Sequence, residues 1–311
     1  MALRVGLTAA ALAWLAGRVD PQAALAALDE VPRWLFAVPL LLLLANSGLH
    51  AWRLQLLLRA AGAPLPWHRI LLTLLRASFV GAVTPRGGAD VARIGWLSQE
   101  TGQPEAVLAA AATARILELL PWAVLLAYGL LWGLPALLPT LATSAAVFLV
   151  LFTGVLGAAV LLVRFGPQLA ERLPMFADRA VVVAKQLQQL RHAPRALALA
   201  TAIGGWIALH NVLSVWLLFR GAGVPVPPAA APAIVPAMDT VISLPVTVSG
   251  LGLREGVFVV ALAPWGISEA TAVALGLVRW SGELGRALLG GLLVLLIGTP
   301  GSPGSPADET R

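Results

Sequence analysis

Arg59-Ala-Ala-Gly62-Ala-Pro64-Leu-Pro66, in the first half of the chain, returns as Arg220-Gly-Ala-Gly223-Val-Pro225-Val-Pro227 in the second. Pro85 follows the first copy and Pro245 the second at nearly equal distances. Gly102-Gln-Pro-Glu105-Ala106 then leads to Arg115 as Gly266-Ile-Ser-Glu269-Ala270 leads to Arg279. The offset is 161 residues at Arg59 and Arg220 and 164 at Arg115 and Arg279, so the chain is a drifting internal duplication. Long repeats that carry ionisable residues inside apolar sequence are typical of membrane proteins with a site between two halves.

Composition points the same way. Of 311 residues, 59% are hydrophobic and 12% charged, against roughly 25% charged in a soluble domain. The apolar run from Val5 to Ala16 has no convincing cleavage site and reads as a first helix or anchor rather than a removable signal. Cysteine is absent, which excludes a disulfide framework, a thiolate metal site and a thiol nucleophile. The net charge of +6 comes without a dense basic run, so nucleic acid is not an expected partner. Lys185 is the only lysine, so nearly all positive charge is guanidinium, which matches phosphate and carboxylate oxygens bidentately.

A spanning helix needs about 20 apolar residues. Candidates are Leu3–Gly17, Trp34–Leu58, Glu105–Leu134, Leu137–Val163, Arg195–Phe219 and Glu269–Ile297. Two other stretches, Ile70–Trp96 and Ala229–Trp265, are broken by Thr84-Pro85-Arg86-Gly87-Gly88 and by Leu244-Pro245 with Ser249-Gly250-Leu251-Gly252. Broken backbone at membrane depth must be buried in protein or line a wet cavity. Each stretch therefore reads as a re-entrant hairpin or as two short spans. The expected fold is an all-α polytopic membrane protein of about six spans and two Pro/Gly-broken hairpins. One membrane domain covers 1–298: repeat one at about 34–163, an amphipathic surface divider at about 164–194, and repeat two at about 195–298. The Pro/Gly/Ser-rich tail, 299–311, reads as disordered.

With the N-terminus inside, loops on the cytoplasmic side hold ten basic residues and outer loops hold Arg18, Arg33 and Arg220. The positive-inside rule thus sets both termini in the cytoplasm. An odd number of spans then separates the two Arg-x-Ala-Gly-x-Pro-x-Pro loops, so the copies are expected to have inverted topology.

Eight basic residues remain within the membrane: Arg53, Arg76, Arg86, Arg93, Arg115, Arg254, Arg279 and Arg286. Asp90, Glu118, Asp239, Glu255 and Glu283 accompany them. An arginine at a helix centre costs roughly 2.5–3.5 kcal/mol, so these groups must pair, face the interior or touch water. Arg115 and Glu118 are three apart, and Arg279, Glu283 and Arg286 share one helical face. Salt bridges that lock the helices are one reading of these groups. An anion site is the other, favoured by the three-charge positive excess and by the hairpin breaks, where freed backbone N–H groups and half-helix N-termini attract anions.

Pro85-Arg-Gly-Gly-Ala-Asp90-Val-Ala-Arg93, Arg115-Ile-Leu-Glu118 and Leu244-Pro245-Val-Thr-Val-Ser-Gly250-Leu-Gly252-Leu-Arg254-Glu255-Gly256 together resemble the flippase-like membrane domain of lysylphosphatidylglycerol synthases and its stand-alone relatives. The likeness runs from about Trp34 to Ile297. Arg86 and Asp90 stand where relatives commonly carry glycine and glutamate, and Leu117-Glu118 where an Arg-x-x-Asp pattern is common. The resemblance implies movement of a lipid between leaflets of the bacterial inner membrane, without the soluble transferase domain that performs synthesis. It implies a phospholipid, aminoacyl-phospholipid, hopanoid or polyprenyl lipid as partner. The residues expected to engage an anionic or zwitterionic headgroup are Arg86, Asp90, Arg93, Arg115, Glu118, Arg254, Glu255, Arg279 and Glu283. An intramembrane enzyme or accessory subunit of lipid, hopanoid or glycan synthesis is the rival class, and a homo-oligomer or a lipid-synthesis enzyme is a compatible protein partner.

Other signals are blander. His50, His68, His192 and His210 lack metal-ligand spacing, and Gly87-Gly88 lacks the end of a nucleotide-binding loop, so no metal or other cofactor is expected. Asn46 and Asn211, near matching helix midpoints, read as interhelical hydrogen bonds, with ligand contacts the other reading. Trp34, Trp67 and Trp265 at span ends read as interfacial anchors.

Overall fold

The computed structural model describes residues 17–84, 87–131, 192–243 and 252–299, with positions 13, 150, 157 and 190. Most of the expected spans Leu3–Gly17 and Leu137–Val163, most of the divider, the tail beyond Thr299, Arg86 and the Leu244–Leu251 stretch lie outside them.

The described chain is all helix apart from its turns. After α1 (Pro21–Glu30) and a 3-10 turn at Arg33–Phe36 come α2 (Ala37–Ala60), α3 (Trp67–Val83), α4 (Gly88–Thr101) and α5 (Pro104–Leu131). The second half gives α6 (Pro194–Gly221), α7 (Ala230–Ser243), α8 (Leu253–Leu262) and α9 (Glu269–Ile297). Four helices, α2 with its preceding turn, α5, α6 and α9, are long and apolar enough to cross a membrane. The protein is an all-α polytopic membrane protein. The expected helix over Glu269–Ile297 has those bounds because Ser268 caps it: its hydroxyl accepts the Thr271 N–H at 3.1 Å, and Gly298 at φ 71° ends it.

The two similar loops share their local geometry. Helix α2 ends with the Gly62 and Ala63 N–H groups bonded to the Arg59 and Leu58 carbonyls at 3.2 and 2.9 Å. Helix α6 ends with Gly223 and Val224 bonded to Arg220 and Phe219 at the same two distances. Both glycines hold positive φ, 80° and 69°, which lets the chain reverse without a Cβ penalty. Helices α4 and α8 likewise each start on a positive-φ glycine, Gly87 and Gly252.

Packing crosses between the halves. Helix α2 lies against its counterpart α6, α3 against α9, and α7 against α5. Along α2 and α6, Trp34 and Leu35 adjoin Gly221, Asn46 bonds Asn211, and Arg53 adjoins Gly204. As one sequence rises the other falls, so these counterpart helices are antiparallel. The Asn46 amide donates to the Asn211 carbonyl at 2.8 Å, and His210 contacts Asn46 Oδ1 at 2.7 Å, a polar clasp where the helices cross.

Two apolar clusters form, one centred on Leu54, Leu57, Ile70 and Val107 that takes in Ala200 of α6, and the other on Phe219, Ile234, Phe258 and Leu275 that takes in Leu35 and Leu126. In lipid, such clusters gain little from leaving water, so close packing of small residues supplies the association. On α9, a Cβ added at Gly282 would lie 2.6 Å from Pro39 Cβ, and one at Gly290 would strike the Leu75 carbonyl. Glycine there brings α9 backbone to backbone with α2 and α3. Leu292, Leu295 and Leu296 point outward, as lipid-facing residues do.

Candidate functional site

Between the halves lies a cavity of about 400 Å³. It is lined from α2 by Asn46, Ser47 and His50, from α4 by Asp90 and Arg93, and from α5 by Arg115, Glu118 and Trp122. Asn211 of α6, Asp239 and Thr240 of α7, and Arg279 and Arg286 of α9 complete its polar wall, with Leu43, Leu74 and Ala77 supplying apolar surface.

On the first-half side the charges form a closed frame. Asp90 follows the positive-φ Gly87 as the third residue of α4, which turns its carboxylate toward α5. There Arg115 Nη2 donates to Asp90 Oδ2 at 2.7 Å, while Arg93 Nη2 sits 3.1 Å from Oδ1. Arg115 Nη1 donates to Glu118 Oε2 at 3.2 Å, and Arg53 Nη2 reaches the same oxygen at 3.4 Å. Pro121 lies one turn beyond Glu118; with no N–H it leaves the Leu117 carbonyl without its usual helical donor, beside Gly204 of α6.

The second-half side is arranged otherwise. Arg254 is 1% exposed, and its Nη2 lies 2.9 Å from both carboxylate oxygens of Glu283. Arg279 approaches Glu283 only to 3.9 Å, beyond hydrogen-bond range. Glu255 folds back on its own helix start and accepts the Gly252 N–H at 2.8 Å, the carboxylate half of a capping box, since glycine offers no side chain for the other half.

Asp90, Arg93, Arg115, Glu118 and Arg279 therefore converge on one cavity, whereas Arg254, Glu255 and Glu283 do not line it. Arg254 and Glu255 are buried, one in an interhelical fork and the other in a cap. The cavity also recruits Arg286, Asp239, Asn46, Asn211 and His50, which the motifs do not single out. Arg286 was detectable as the third member of the Arg279–Glu283 face. The two asparagines read as interhelical hydrogen bonds in the sequence, which shows neither that they bond each other nor that they border a cavity. Among the described residues several guanidinium nitrogens are buried without a hydrogen-bond partner, including Arg93 Nε, Arg279 Nε and Nη1, and Arg286 Nε. Buried donors of this kind cost about 1–3 kcal/mol each when left unmet, so the arginines of this wall are incompletely satisfied and an anion in the cavity would offset their charge. No group of His, Asp and Glu among the described residues could hold a metal ion.

Two crossed halves enclosing an arginine-lined cavity define a multi-pass helical membrane protein with an internal polar site. The family model of the lysylphosphatidylglycerol synthase TM region matches residues 1–280, and the chain belongs to that family. Membership supports a function related to membrane lipids. No curated protein and no solved structure matches the chain.

Proposed function

We propose that the protein is a lipid translocase, moving an anionic or zwitterionic lipid headgroup through the cavity between its halves while the acyl chains stay among apolar helices. The carrying observation is the cavity itself: a polar chamber of about 400 Å³ walled by both halves, with unmet guanidinium donors. The antiparallel packing of α2 on α6 and the exchange of α3 and α7 onto the opposite halves support inverted repeats, with α3–α4 and α7–α8 as re-entrant hairpins. The positive-inside bias supports a bacterial inner-membrane location with both termini cytoplasmic. The lipid is a phospholipid, aminoacyl-phospholipid, hopanoid or polyprenyl lipid, and no bond is made or broken in it.

The test is reconstitution into liposomes containing a fluorescent phospholipid, with an impermeant quencher added outside. The expected result is that quenching passes the outer-leaflet half at a rate set by protein content, with lipid mass unchanged. Well-folded protein that leaves the inner half protected would refute translocation, and a changed lipid mass would establish an enzyme instead.

A further inference from the structure

The two halves repeat their sequence, but they do not use their carboxylates alike. Each hairpin has a helix that opens on a positive-φ glycine and carries an acid at its third residue, Asp90 after Gly87 and Glu255 after Gly252. Each following long helix carries an arginine at the same distance from its opening glutamate, Arg115 after Glu105 and Arg279 after Glu269. Equivalent use would pair each acid with the arginine of the next helix. Asp90 does so, bonding Arg115 at 2.7 Å. Glu255, one methylene longer, reaches back to the Gly252 N–H instead and takes itself out of the exchange. Glu283, one turn on from Arg279, is engaged through both oxygens by Arg254, and Asp239 of the cavity wall acts on Arg279 only from beyond ion-pair range.

Arg279 is thus a guanidinium 5% exposed, lining the cavity, with Nε and Nη1 unbonded and its nearest carboxylate 3.9 Å away. Two turns along the same face, about 10.5 Å at 1.5 Å per residue, Arg286 also lines the cavity. It forms no ion pair among the described residues, and its Nε is buried and unbonded. Two arginines so spaced can converge on one tetrahedral anion from two directions, each offering a fork of donors. A planar carboxylate fills one fork, while a phosphate has oxygens for both.

We infer that Arg279 and Arg286 form the phosphate-binding subsite of the cavity, taking a phosphomonoester or phosphodiester, and that Arg254 is a positioning residue that holds Glu283 away from Arg279. The inference rests on the translocase reading for the source of that phosphate, a lipid headgroup. The Asp90–Arg93–Arg115–Glu118 frame is the facing wall, its charges already matched to one another.

The experiment is calorimetric titration of the full-length protein in detergent with dioctanoyl phosphatidate, dioctanoylglycerol and inorganic phosphate. Phosphatidate binds the wild type and dioctanoylglycerol does not. Arg279→Gln and Arg286→Gln each weaken phosphatidate about tenfold or more, the size expected for losing a charge-assisted hydrogen bond. Arg18→Gln, outside the cavity, matches the wild type and controls for net charge. Because Arg286 has no ion-pair partner among the described residues to orphan, its variants should fold, and Arg286→Lys, which keeps charge but loses the fork, falls between. Arg254→Gln releases Glu283 onto Arg279 and weakens binding, while Arg254→Gln/Glu283→Gln restores it, a rescue that mere misfolding does not give. Full phosphatidate affinity in the folded Arg279→Gln/Arg286→Gln double variant, or equal binding of dioctanoylglycerol, overturns the subsite even if liposome scrambling persists. Inorganic phosphate binding as tightly as phosphatidate upholds the subsite and overturns the lipid as its source.

Discussion

Glu118 is the acid whose loss should be felt most. Its Oε2 serves Arg115 and Arg53 together, and the Arg53 side chain is only 4% exposed, with Nε and Nη1 already lacking acceptors. Glu118→Gln leaves that guanidinium buried beside a neutral amide and His50. Removing one member of a buried pair costs about 3–5 kcal/mol, and the lower end applies because the Glu118 side chain, 18% exposed, borders the cavity. At about 2 °C per kcal/mol for a chain of this size, the melting temperature should fall by about 6 °C. Intrinsic tryptophan fluorescence during heating in nanodiscs reads this directly. The cost belongs to the stranded arginine, so Arg53→Met/Glu118→Gln should regain at least half of it. A Glu118→Gln protein melting within about 1 °C of wild type, or a double variant no more stable than the single, would refute this account of the frame.

Gly282→Leu should push α9 off Pro39 and Leu40, at about 1–3 kcal/mol or more for overpacking, and gel filtration should show a loss of monodisperse protein. Glu255→Ala removes the acceptor of the Gly252 N–H and should cost about 1 kcal/mol, measured as a lower melting temperature, whereas Glu255→Gln, which still accepts, should retain most of the stability. Asp90→Asn frees Arg93 and Arg115 to hold an anion; dioctanoyl phosphatidate should bind more tightly in calorimetry, while liposome scrambling slows on the order of tenfold.

The helices were readable because hydrophobic length, capping and glycine stops act locally. Glu269–Ile297 is bounded by Ser268 and Gly298, and the breaks after Val83 and before Leu253 follow from proline and glycine. Ion pairs along one helix were readable for the same reason, as with Arg115 and Glu118 three residues apart. Pairs between helices were not: Asp90 with Arg115, Arg53 with Glu118 and Arg254 with Glu283 depend on how helices cross. The duplication itself obscured the second half, because matched sequence invites matched roles. Glu255 and Asp90 occupy equivalent helix positions, yet one side-chain methylene lets Glu255 serve as a cap. That difference could not be read from spacing; it takes Glu255 off the cavity wall, while the contact with Glu283 takes Arg254 off it.

Gly276, Arg279, Glu283, Arg286 and Gly290 recur on α9 at alternating steps of three and four residues, and so share one face. Glycines bracket the ionic stretch, and neighbouring helices close in at both ends, with Glu255 beside Gly276 and Leu75 beside Gly290. Between the two arginines the polar step is about 10 Å tall, within a hydrocarbon core about 30 Å thick. A charged group resting there would divide its crossing into two thinner insulating layers, each about 10 Å. The self-energy of an ion in a low-dielectric slab falls as the slab thins, so under the translocase reading such a stripe would lower the barrier on both sides at once.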